Sequence, residues 1–358
     1  MKRTRKILFG VVCFALGGAA VAVFVLMYWQ PLQMRRGAMS LPVVALNLTP
    51  EDLGLPTSDA QVCADVSTTA SPESLQRIIE DMRSAVRQQP SDLCVGNRYR
   101  AAIKYLTLHQ GRFAIADSNL PPPLATIATI ADSNVTENEA DQDRRKIDSR
   151  PDDVEPASLF RELVSYPHSN SAETQLQLGL SYVDFMLREG GRETKARLSS
   201  HSIEALTAAI DRKPYFVAAR YARGLNYLYW PAIAGRLPLA VTDLKTCVAL
   251  TKQLPWHPRA QIFAETYVAL GDAYVKLSEV AMSLGHRRDL IAIAKYWWRE
   301  GLIEYPDNGE LQSRLNLASG DIPAYVESAR AIETYINTDL NLLWTVTEDK
   351  RESHLSQP

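Results

Sequence analysis

Hydrophobic positions are spaced differently in successive parts of this chain. From Ile7 to Trp29 no charged residue interrupts 23 positions, which as a helix would reach about 34 Å, against about 30 Å for a bilayer core. Lys2, Arg3, Arg5 and Lys6 precede the run, and only Arg35 and Arg36 follow it closely. The positive-inside bias therefore predicts a basic cytoplasmic tail over 1–6, a transmembrane anchor over 7–29 and everything later across the membrane. Tyr28 and Trp29 stand at the far end, where amphipathic rings favour the interface. The run is longer than the apolar core of a cleaved signal peptide, and the bulky residues Met27 to Pro31 offer no small-x-small site. Cys13 lies near its start, whereas a lipoprotein would need a cysteine at its end. An uncleaved single-pass signal anchor is the expectation.

After the anchor the pattern loses its period. Pro31, Pro42, Pro50 and Pro56 punctuate 30–70, which reads as an extended tether. Ser71-Pro72-Glu73-Ser74 then opens a helix, with a capping Ser, Pro at the first helical position and acid in the first turn. Leu75, Ile78, Ile79, Met82, Ala85 and Val86 form a 3.6-period face that stops at Pro90. A second helix from about Asp92 to His109 carries Tyr99, Ala102, Ile103 and Leu106, so 71–119 is predicted as a helical hairpin. Over 120–156, Pro121-Pro122-Pro123 leads into an acid-rich stretch with few large apolar residues, too few to offset ordering entropy. It reads as a linker, with an acidic binding segment as the alternative.

From 157 to 308 the chain repeats itself. Leu178-Gly179-Leu180-Ser181-Tyr182, Arg223-Gly224-Leu225-Asn226-Tyr227 and Leu270-Gly271-Asp272-Ala273-Tyr274 share one core, and each precedes a second helical stretch that ends before Pro214, Pro255 or Pro306. The glycine allows two helices to approach, the tyrosine fills the wedge between neighbouring units, and the proline ends the second helix.

These segments resemble tetratricopeptide repeats, with Leu-Gly-x-x-Tyr on helix A and a small-residue and aromatic pattern on helix B. The fullest match joins Gly271 and Tyr274 to Ala294, Trp298, Gly301 and Pro306; Gly179 with Tyr182 and Gly224 with Tyr227 are the corresponding pairs upstream. Cys247 falls at a small-residue position and reads as a core thiol. The glycines are 45 and 47 residues apart, against about 34 in the family, and the surplus lies between helices A and B. It predicts either longer helices or projecting loops. The first hairpin resembles a degenerate repeat lacking the glycine. Residues 309–358 read as capping helices and a tail, with a last amphipathic helix over Ile322–Ile336 closing the stack. The expected fold is all-α: antiparallel helix-hairpin repeats, an α-solenoid, behind one transmembrane helix.

Composition narrows the function classes. The formal net charge is −2, and no basic stripe argues for nucleic acid. The six histidines are scattered, none at i+3 or i+4 from another, so no helical metal face can be drawn. No phosphate loop, nucleophile elbow or His-Glu-x-x-His is present. The expectation is a binding protein with no catalytic residues, metal or cofactor. Cys63 and Cys94 lie in the exported part, outside both the anchor and the repeat core, and are the candidate disulfide.

The family resemblance implies that a partner lies along the face built from helices A. Counting from each glycine, it places Glu173 and Asp184, then Tyr221 and Tyr229, then Glu265, Asp272 and Lys276 in that groove. The Lys, Arg and Asn set with which family members clamp chaperone tails is missing at these positions. Tyr221 and Tyr229 fit either contact or packing, Trp230 and Trp297 are open in the same way, and Trp298 fits the core. The expected function is a membrane-tethered scaffold or assembly factor that binds a protein partner in the bacterial periplasm, at the inner membrane. The alternative is an accessory subunit of a solute-transport system.

Overall fold

The computed structural model describes residues 71–109, 157–186, 191–253 and 261–330, the short stretches 39–44, 48–49 and 52–54, and the single residues 66, 70, 338 and 340. The expected anchor (7–29), the linker (120–156) and Cys63 lie outside these residues. No helix among the described residues is long and apolar enough to cross a membrane.

Among the described residues the regular structure is entirely helical. Helices α1 (Pro72–Gln88) and α2 (Leu93–His109) form the first hairpin, and α3 (Ala157–Ser165) precedes the repeats. The three repeat pairs are α4 (Ala172–Met186) with α5 (Arg192–Arg212), α6 (Val217–Leu228) with α7 (Leu237–Gln253), and α8 (Gln261–Glu279) with α9 (Leu284–Glu304). Two short helices, α10 (Gly309–Asn316) and α11 (Ile322–Ala329), end the series.

Local sequence explains the boundaries. Ser71 caps α1 by accepting from the Ser74 N–H at 3.2 Å, and Pro72 occupies a position whose N–H would have no partner. The Asp92 carboxylate caps α2, accepting from the N–H groups of Cys94 and Val95 at 2.8 and 3.1 Å. Ser283 and Asn308 do the same for α9 and α10.

Each pair runs antiparallel, because partners later in one helix meet residues earlier in the other. A Cβ on Gly179 would stand 2.7 Å from Leu206, one on Gly224 3.0 Å from Leu244, and one on Gly301 2.6 Å from Tyr267. Tyr182 is buried among the apolar side chains of α3, α4 and α5. Tyr227 is buried with Ile203 of α5 and Ala240 of α7, so it bridges one pair to the next. Tyr274, Ala294 and Trp298 are buried in the largest cluster, while Pro306 is exposed just beyond the end of α9. Helix α2, the second of the first hairpin, and the first helices α4, α6 and α8 of the three pairs touch one another in sequence order, and α5, α7 and α9 do so much less. The result is a continuous row of four helices.

The surplus between helices A and B goes mostly into length. Helices α5 and α9 each run 21 residues, and a 3-10 turn (Ala232–Ala234) takes up the rest in the middle pair.

The structure corrects the sequence expectations in several places. The stretch read as an extended tether is docked at some of its described positions: Val44, Leu53 and Val66 are buried, and the Val217 N–H donates to the Leu53 carbonyl at 3.1 Å. Apolar side chains in a period-free stretch still bury when a neighbouring surface offers them a place. The first hairpin does have a close-approach glycine, Gly96, but it faces Gln177 of α4, where a Cβ would stand 2.8 Å from Cγ. The last helix is described over Ile322–Ala329, with Arg330 at its cap; the rest of the expected span, 331–336, lies outside the described residues.

Candidate functional site

Described parts of this chain's own C-terminal region lie against two ends of the row. Helices α10 and α11 pack against α8. Beyond them, Thr338 and Leu340 lie against α2 and α4, both almost fully buried.

Three buried carboxylates are each paired with two cations. Asp272 of α8, fully buried, accepts from Arg314 Nε and Nη2 at 2.7 and 2.9 Å and from Arg330 Nε at 2.8 Å. Asp184 of α4 is held by Arg100 and by Lys104, the latter at 3.4 Å, both from α2. Asp243 of α7 accepts from Arg220 Nη1 at 2.9 Å and from Arg223 Nε and Nη2 at 2.7 and 2.8 Å. An ionised carboxylate is expensive to bury unless it is paired and hydrogen-bonded, and each of these is. Burial works against the charge on Arg330, but Asp272 and the phenols of Tyr229 and Tyr221 outweigh it and raise its pKa.

The groove predicted from the resemblance is therefore not an open one. Asp184, Tyr221, Asp272 and Lys276 are buried, and Glu173, Tyr229 and Glu265 are half-buried. Glu173 is bonded to Lys213 at 2.5 Å, and Lys276 lies 3.9 Å from Glu327 of α11. Tyr221 belongs to the main apolar cluster, and burial pushes its phenol well up, with Glu265 adding to the effect. Different neighbours close the groove, with α2 against Asp184, Lys213 against Glu173, and α10, α11 and Arg330 against Asp272 and Lys276: counting positions from each glycine does not show what packs on that face. Trp297 is buried with Trp298, and Trp230 is half-buried, donating to Ser199 Oγ at 2.7 Å with the Arg236 guanidinium 4.0 Å from its ring. Both stand within the fold.

Sequence reasoning missed Asn97, Arg100 and Lys104. They follow each other at i, i+3 and i+7 on α2, a spacing that puts them on one helix face. Their polar character suggested solvent, yet they are 1%, 2% and 4% exposed. Arg100 donates through Nε to Gln177 Oε1 at 2.6 Å and through Nη2 to the Thr338 carbonyl at 2.8 Å. Lys104 Nζ donates to Thr338 Oγ1 at 3.0 Å, the Thr338 hydroxyl donates to Asp184, and the Leu340 N–H donates to Asn97 Oδ1 at 3.0 Å.

Cys94 is disulfide-bonded to a partner outside the described residues, so its pairing with Cys63 stays an expectation. Cys247 is a free, buried thiol, and burial raises its pKa. A surface depression of about 220 Å³ is lined by Asp52, Arg212, Lys213, Pro214 and Tyr215. It is a charged opening, unlike the closed apolar chamber that solute handling would favour. Among the described residues no His, Cys, Asp and Glu side chains group so as to hold a metal ion. Comparison of the chain with protein-family models, with curated proteins and with solved structures finds no match in any of the three.

Proposed function

We propose that this chain is a membrane-tethered scaffold or assembly factor, built of tetratricopeptide-like helix pairs, that holds a protein partner on the non-cytoplasmic side of the inner membrane. The partner would present an extended segment to the row α2–α4–α6–α8. One observation carries this reading: side chains of α2, on the row, bond backbone groups of this chain's own residues 338 and 340. Arg100 donates to the Thr338 carbonyl and Asn97 accepts from the Leu340 N–H. Helix packing needs only apolar contact, whereas side chains aimed at another segment's peptide groups are the means by which a groove holds a peptide.

The test is site-directed photocrosslinking of the intact protein in its native membrane. A crosslinker at Tyr229 or Glu265, half-buried on the row, should attach one dominant protein that a crosslinker at exposed Arg197 on α5 does not. Equal yields at the row and at Arg197 would remove the groove reading. The anchor is tested separately: a reporter active only after export, fused after Pro358, should be active, and a mature N-terminus beyond Trp29 would overturn the uncleaved anchor.

A further inference from the structure

We propose that the turns joining the two helices of the middle and last repeat pairs form a membrane-docking edge, whose apolar tips enter the headgroup region of an anionic lipid bilayer. Such an edge is separate from the groove of the scaffold reading and does not require the anchor.

Nine large apolar side chains are exposed among the described residues, and five of them fall at these two turns. Ile233 and Leu239, around the α6–α7 turn, are 90% and 50% exposed. Val280, Met282 and Leu284, around the α8–α9 turn, are 47%, 103% and 71% exposed. Exposed apolar residues scattered singly over a surface are ordinary, whereas their concentration marks a contact with protein or membrane. Gly235 and Gly285, beside these tips, would have nothing within 4 Å of a Cβ, so the turns stand clear of the packed body.

Both turns lie on one edge of the stack. Lys252, near the end of α7, donates to Glu300 at 3.2 Å and pairs with Glu304 at 3.3 Å, near the end of α9. The ends of α7 and α9 therefore meet at one edge, and their starts, with the turns before them, lie at the other. Ala232–Ala234 also touch α8, the helix that leads into the second turn. The start of α5 stands at the same edge, since Ser199 accepts from Trp230 Nε1 at 2.7 Å.

Cations flank the tips. Arg236 follows Ile233, and Arg287 and Arg288 follow Leu284, while Arg192 and Arg197 add exposed guanidiniums from the start of α5. The acids on this edge are fewer, Glu193, Glu279 and Asp289, although the whole chain carries a net charge of −2. The Arg236 guanidinium lies 4.0 Å from the ring of Trp230, an aromatic of the kind that favours membrane interfaces.

This combination suits a bilayer better than a protein. Tips projecting from two separate turns offer no concavity in which a peptide or helix could sit. A lipid surface yields around a side chain, so it accepts tips at one level without matching their shape. Interfacial binding draws on buried apolar area and on attraction between basic groups and anionic headgroups. The edge supplies both.

The experiment places the full chain in vesicles of equal parts phosphatidylcholine and phosphatidylglycerol, and in vesicles of phosphatidylcholine alone. A side chain carrying a photoactivatable diazirine replaces Ile233, Met282 or Ile303, one at a time, and mass spectrometry measures the lipid attached. Ile303 is the control, 70% exposed but at the far end of α9. In the anionic vesicles positions 233 and 282 should carry at least about tenfold more lipid than position 303. They should also carry at least about fivefold more than in phosphatidylcholine alone, the effect of about one basic residue near an anionic surface. Arg287→Glu with Arg288→Glu should remove that preference at position 282. Equal attachment at 282 and 303 overturns the proposal, and so does a preference that is absent or that survives the charge reversal. Attachment to a second copy of the chain in place of lipid overturns it too, and makes this edge an interface between copies. The wild-type chain gives an independent readout: amide exchange across Val280–Gly285 should slow at least about fivefold with the anionic vesicles, and unchanged exchange refutes the edge. Flotation with the vesicles reads the anchor separately, so a chain that floats but labels 233, 282 and 303 alike keeps the anchor and loses this edge.

Discussion

The indole of Trp298 sits on Gly271: a Cβ at that glycine would stand 2.0 Å from Nε1, and the same N–H donates to the Val268 carbonyl at 3.2 Å. The ring is rigid and fully buried, so it cannot move aside cheaply. Gly271→Ala is expected to cost about 2–3 kcal/mol by overpacking, lowering the melting temperature by several degrees. Gly285→Ala is the control, since nothing lies within 4 Å of its position, and it should be neutral or slightly stabilising. Equal melting temperatures for the two variants would show that the α8–α9 contact is looser than described.

Asp272 should be more costly to remove than any exposed partner of the same cations. Asp272→Ala strands the Arg314 and Arg330 guanidiniums and is expected to cost about 3–5 kcal/mol. Glu310 also pairs with Arg314, but its side chain is 57% exposed, so Glu310→Ala should cost less than about 1 kcal/mol. Denaturant titration of both variants decides this, and similar losses would mean that the Asp272 cluster is solvated.

The two tyrosines that sequence position placed side by side should now separate. Tyr221 is buried in the main cluster, so Tyr221→Ala is expected to cost about 3–5 kcal/mol. Tyr229 is half-buried, and its truncation should cost about 1 kcal/mol. A Tyr221→Ala variant that melts like the wild type would restore that residue to the list of contact groups.

Stability should fall in alkali. Burial raises the Tyr274 phenol from 10.0 to about 12 in the folded chain. A raised folded pKa means that the native state holds its proton while the unfolded chain releases it. The contribution is therefore complete below about pH 10 and is lost as the pH rises to about 12. Cys247 acts in the same direction from its own ordinary value of 9.0 upward. Denaturant midpoints measured from pH 8 to 12 should decline across this window. Cys247 should also resist thiol reagents at pH 8 in the native chain and react only after unfolding. A midpoint flat to pH 12, or rapid native labelling of Cys247, would contradict the burial described.

Gly54 tests the docking of the segment before the first helix. Its φ is +67°, and a Cβ there would meet the Phe216 ring at 2.0 Å. Gly54→Ala combines left-handed backbone strain with that clash and should cost about 1–3 kcal/mol. It should also speed proteolysis near Leu53. Unchanged stability and cleavage would mean that the segment stands off the repeats.

The helices were legible because their causes are local. Ser71-Pro72 and Asp92 are capping groups that act within one turn, and the face from Leu75 to Val86 is a periodicity that any amphipathic helix must have. The glycine–tyrosine cores were legible for a related reason: Gly179, Gly224 and Gly271 mark where two helices adjacent in sequence must approach. What packs on the row was not legible. Asp184 meets Thr338 across 154 positions and Asp272 meets Arg330 across 58, and no spacing rule reaches that far. Residues such as Arg100 and Lys104 carry the same polar signature whether they face water or a buried carboxylate. The sequence by itself determined most of the described helices and the close approach of the two helices within each repeat pair. Only the tertiary structure decided that Thr338, Arg314 and Arg330 would meet Asp184 and Asp272, because pairing between distant groups depends on where the packed backbone brings them.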